Sequence, residues 1–147
     1  MVDVMIGLFV ASVIATAFLS SVVYAVQYSI EHNRKLQAEF LAVEMLEIAR
    51  AMENSDWDTL IDCGDECYFE LDVDKWAVVN DQGVEEVGAF KRWLSIDDVY
   101  RNEDNVIVAS SPDDPDEFTK KATATVSWWS RGTSSDLTLE IYVYKFF

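Results

Sequence analysis

With 147 residues the chain has room for one modest domain and one further segment. Its 27 acidic residues against 11 lysines and arginines give a net charge of −16, and the basic residues are scattered, so no phosphate-binding face for nucleic acid is expected. One histidine and two cysteines leave no Ser/His or Cys/His arrangement for catalysis and too few ligands for a structural zinc, so no enzymatic activity, cofactor or metal is expected.

Residues Val4 to Val26 form an uncharged, mainly apolar run of 23. As a helix, at about 1.5 Å per residue, the run is roughly 34 Å long, enough to cross a hydrocarbon layer of about 30 Å. It is too long, and lacks the basic start, for a secretory peptide, so cleavage is not expected. His32, Arg34 and Lys35 follow it, and by the positive-inside rule they would place that end in the cytoplasm. Of the acids only Asp3 precedes Ser29, so 26 acids and all 11 bases fall in the remainder, where they read as a solvated surface, with high-salt adaptation or divalent-cation binding as the alternatives.

No proline interrupts the passage from this run into a charged helical pattern ending near Glu53. There Ala38, Leu41, Ala42, Met45, Ile48, Ala49 and Met52 recur at steps of three and four, an apolar stripe that should cover a sheet. Leu36, Phe40 and Val43 fall on roughly the opposite side, either as incidental exposed apolar residues or as a second packing face. Asn54, Ser55 and Asp56 break the pattern.

Cys63 and Cys67 follow in the sequence CGDEC, as a disulfide or as two free thiols. A disulfide would imply an oxidising location and overrule the basic flank. Beyond it the period becomes two. Phe69, Leu71 and Val73 alternate with Glu70 and Asp72, and Phe90, Leu94 and Ile96 share a face that Arg92 interrupts. A short hairpin runs from Val99 through the turn at residues 102–105 to Val108. Prolines at 112 and 115 exclude a central strand from residues 111–116. The acids Asp113, Asp114, Asp116 and Glu117 lack the ligand spacing of a calcium loop. Gly83, Gly88 and Gly132 read as turn residues. The clearest hairpin is last: Ala122, Ala124, Val126 and Trp128 alternate with Thr123, Thr125 and Ser127, residues 132–136 turn the chain, and Leu137, Leu139, Ile141 and Val143 continue the period.

The start DVMIGLFVASVIATAFLSSVV, leading without a break into QAEFLAVEMLEIARAMENSDW, then the CGDEC loop and the closing KKATATVSWWSRGTSSDLTLEIYVYKFF, resembles the type IV pilin and pseudopilin family over nearly the whole chain. The resemblance implies an α+β, pilin-like fold: a long N-terminal helix, apolar in its first half, packed by its second half on an antiparallel β-sheet. The expected division is a transmembrane or filament-core segment, 1–30, and a globular domain, 31–147, made of helix 31–53, cysteine loop 54–67 and strands 68–147. The implied function is a structural subunit of an extracellular filament at the cell surface, held in the inner membrane before assembly. Its partners would be further copies of itself, the pilus assembly machinery and a prepilin peptidase. Asp3 takes the place of the family's acidic residue near the mature start, whose charge the terminal amine of a neighbouring subunit would match. Leu36, Phe40 and Val43 would join it as assembly residues. The competing readings are a single-pass membrane-anchored binding or sensor domain that never polymerises, and a minor pseudopilin of a secretion system.

Overall fold

The computed structural model describes residues 2–73, 75–79, 83–104, 106–108 and 115–145. The chain divides into two compact units, Met1–Leu36 and Gln37–Phe147. Helix α1 spans Val2–Ser55 and contributes to both, running past its expected end at Glu53. In the first unit it is the only described element, and its most apolar stretch, with mean hydropathy 2.3, has no buried residue.

Among the described residues of the second unit α1 is followed by α2 (Trp57–Ile61) and eight strands: β1 (Tyr68–Asp72), β2 (Lys75–Val79), β3 (Glu85–Val87), β4 (Phe90–Asp98), β5 (Tyr100–Arg101), β6 (Ile107–Val108), β7 (Thr119–Ser130) and β8 (Thr133–Tyr144). The fold is therefore α+β, with a long apolar N-terminal helix and antiparallel sheets. The segment after α1, expected as a helix-free cysteine loop, instead starts α2. Asp56, which seemed only to break the pattern, caps α2 by accepting the Thr59 N–H, and Trp57 and Leu60 turn inward.

The principal sheet has the order β3-β4-β7-β8, every pair antiparallel. Period two in the sequence becomes two faces. Ala122, Ala124, Val126 and Trp128 of β7 are buried, as are Phe90 and Leu94 of β4. Against them pack Ala38, Ala42, Met45, Ile48, Ala49 and Met52 of α1, the stripe expected from the sequence apart from Leu41, which is only partly buried, and Leu46 joins them. Alanines on both surfaces let helix and sheet approach closely, and the longer Met45, Met52 and Leu94 fill what remains.

The β7–β8 connection is tighter than expected. Arg131 (φ 48°) and Gly132 (φ 83°) make a two-residue turn, and β8 resumes at Thr133. Positive φ at both central positions matches the right-handed twist of the flanking strands, the geometry such hairpins favour.

Beside the main sheet, β1 and β2 form their own antiparallel hairpin, from Tyr68↔Val79 to Asp72↔Lys75. Two backbone hydrogen bonds link Cys67 with Leu94 of β4, at 2.8 and 2.9 Å. The β5–β6 hairpin stands where expected; of its turn, Asn105 lies outside the described residues, as do Asp113 and Asp114 of the acidic loop. Asp116 carries structural bonds, accepting from Arg101 Nε at 2.6 Å and from the Phe118 N–H at 2.8 Å.

Candidate assembly surface

The first unit presents apolar side chains on every side. Phe9, Ile14, Phe18 and Leu19 are each at least 64% exposed. Three of its hydroxyls bond back to the helix: Ser12 donates to the Phe9 carbonyl, Thr16 to that of Ser12 and Ser20 to that of Thr16, at 2.8 to 2.9 Å. Hydroxyls bonded back to the helix in this way enter an apolar medium without stranding a donor. Asp3 sits in the first turn, where a carboxylate suits the positive end of the helix dipole, and its side chain is exposed. Tyr28 and His32 stack one helical turn apart, ring centroids 6.4 Å, near the polar end of this segment.

Leu36, the last residue of the first unit, is 38% exposed. In the second unit Phe40 and Val43 project from α1 away from its buried stripe, and Phe40 is 74% exposed. The sequence placed these residues off the apolar stripe, and Phe40 and Val43 are exposed. It did not anticipate what lies beside them. Phe40 and Leu41 form one wall of an open groove of about 500 Å³, whose other wall is Val87, Gly88, Ala89 and Phe90 at the β3–β4 turn. Gly88 takes φ 63°, so glycine suits the turn that shapes this wall.

One polar end of the groove is held by a buried cation. Arg92, read from sequence as an interruption of β4, lies on its buried face and is 7% exposed. Its Nε donates to Glu85 Oε2 at 2.6 Å and its Nη1 to Glu44 Oε2 at 3.0 Å. Burial works against the charged guanidinium, but the bonds and charges of Glu85 and Glu44 outweigh it and hold the pKa above the ordinary arginine value. The cluster fixes β3 and β4 against α1 along the groove. Nothing local in the sequence joins Glu44 to Arg92, 48 positions apart.

Cys63 and Cys67 are joined as a disulfide, with Cα atoms 5.3 Å apart, and both are buried. Among the aromatics of the sheet, Trp129, Tyr142 and Tyr144 are exposed, whereas Trp93 is half-buried beside Thr125. No known protein family, curated protein or solved structure matches the chain.

Proposed function

We propose that the protein is a structural subunit of a type IV pilus-like filament, with residues 1 to about 30 in the filament core and the second unit outward. The observation that carries this reading is the helix of the first unit, apolar and unburied throughout its most hydrophobic stretch. Such a surface must be covered by lipid or by protein. Before assembly the inner membrane serves; afterwards a bundle of identical helices supplies the same medium, through contacts that repeat without closing. The exposed Phe40 and Val43 and the groove beside them give the second unit an apolar surface for a neighbouring subunit. Asp3 would be costly in such a core unless a neighbour's amine matched it.

The test is imaging of surface filaments from native cells, with their subunit identified by mass spectrometry, beside cells producing only residues 31–147. Filaments built from the intact chain and absent from the truncated one support the proposal. A truncated chain that still polymerises overturns the core-helix argument. A chain found only in the membrane fraction of filament-bearing cells favours the membrane-anchored domain, because one apolar helix is enough for anchoring.

A further inference from the structure

The principal sheet is guarded at one edge and open at the other. On one side the edge strand β3 has only three residues. On the other, β8 runs for twelve, with no proline, lysine or glycine of the kind that discourages pairing. The Tyr144 N–H leaves the sheet and donates to Glu53 Oε1 at 2.8 Å, while the next N–H, of Lys145, donates back to the Phe118 carbonyl at 2.9 Å. In an antiparallel ladder the backbone groups of successive residues face opposite neighbours. These two bonds therefore fix the parity of β8. Its odd-numbered residues bond to β7, and Ser134, Asp136, Thr138, Glu140 and Tyr142 turn their N–H and C=O groups to the free edge. Among the described residues those five backbone edges meet no partner.

A second feature lies on the inner face. Val143 is fully buried, but Leu137, Leu139 and Ile141 are only partly covered. The apolar surface of the sheet thus continues to its open edge.

We propose that β8 pairs antiparallel with β8 of a second copy, about a two-fold axis at Leu139. Charge selects the register. Centring the pair on Thr138 sets Asp136 against Glu140, and centring it on Glu140 sets two glutamates face to face; like charges directly opposite are destabilising. Centring on Leu139 sets Thr138 against Glu140 and Asp136 against Tyr142, and it gives the longest overlap free of acid pairs. Four such pairs, two from each direction, exchange about eight ladder hydrogen bonds. The same register brings Leu137, Leu139 and Ile141 of the two copies side by side, so the half-covered apolar strip closes on itself. A donor strand from an unrelated protein would not need the register to be self-compatible, which favours a second copy. The contact is symmetric and goes beyond the filament reading, since it joins two chains whether or not they also polymerise. Two chains of charge −16 repel, so pairing should strengthen in about 1 M salt, where the screening length is about 3 Å.

The test uses the full chain in detergent micelles at high salt, with Thr138→Cys and Glu140→Cys made separately. The native cysteines are already joined, so the added thiols report alone. Opposed Cα atoms in a hydrogen-bonded pair lie about 5.5 Å apart, within reach of a disulfide. Mixing the two variants under mild oxidation should give several-fold more cross-linked dimer than either variant alone. A further variant, Thr138→Pro, removes an outward N–H that β7 does not use and should lower the dimer fraction with unchanged circular dichroism. If it fails to fold, the cross-linking comparison still decides. No mixed product, or equal product from each single variant, overturns the proposal, because helix association within the micelle could not select this register.

Discussion

Replacing Phe40 by glutamate would separate the fold of the second unit from the proposed assembly. A phenylalanine side chain has about 200 Å² of surface. With 74% of Phe40 open to water, roughly 150 Å² awaits cover, and at about 25 cal/mol/Å² its burial by a neighbour would contribute roughly 3–4 kcal/mol as an upper figure. Phe40→Glu forfeits that and adds the cost of desolvating an unpaired carboxylate, several kcal/mol more. The isolated domain meets little of either term. An exposed substitution away from the buried stripe should change its stability by no more than about 0.5 kcal/mol. The comparison sets urea melts of residues 37–147, with and without the change, beside filament counts from cells producing the full-length variant. The expected result is an unchanged melt and few or no filaments. Normal filament numbers, or a collapsed domain, would show that the two faces of α1 are assigned wrongly.

Three further outcomes follow from the second unit. Arg92→Ala should lower stability by about 2–3 kcal/mol, because it removes packing and two charge-assisted bonds, whereas Arg92→Met should fall within about 1 kcal/mol of wild type, since Glu44 and Glu85 both reach solvent; equal urea midpoints for the two variants would refute this. Burial opposes ionisation of Asp116, but bonds from Arg101, the Phe118 N–H and Thr119 prevail and hold its carboxyl below the usual range. The folded state therefore binds this proton less tightly than the unfolded one, so the contribution is complete above about pH 4 and is lost as pH falls through the depressed value; urea melts from pH 6 to 2 should show a shallower acid loss for Asp116→Asn. Protein isolated from its native location should carry no alkylatable thiol until reduced, read by intact mass, and replacing both cysteines by serine should cost roughly 2 kcal/mol for so short a loop.

The legible parts of the fold are those where one periodicity holds over a long element. The three- and four-residue steps from Ala38 to Met52 and the alternation from Ala122 to Trp128 translate into buried faces, with Leu41 partly buried, and the alternation from Leu137 to Val143 into a face covered only in part. Arg92 was misread because alternation records polarity, and a guanidinium paired with acids from α1 and β3 can occupy an apolar face. β2 escaped notice because four of its five residues are half-buried on both faces, which erases the alternation. The final turn was placed too late because arginine is an unusual residue for positive φ, leaving Gly132 as its only local signal. The exposure of Phe40 and Val43 could be read from helical spacing. The groove could not, since its second wall comes from a turn more than forty residues further along the chain.

The β1–β2 hairpin has a practical consequence for engineering. Its base is bonded to the principal sheet by the Cys67–Leu94 bridge, the disulfide lies immediately before it, and Phe69, Trp76 and Val78 pack on the core. At its turn Val73 is 87% exposed with φ 58°, a conformation that costs a β-branched residue energy and gives it no apolar contact in return. A guest peptide spliced at Val73 would relieve that backbone without replacing any residue of the helix or the principal sheet. The hairpin is therefore a natural display point, where foreign epitopes or affinity tags could be carried without redesigning the core.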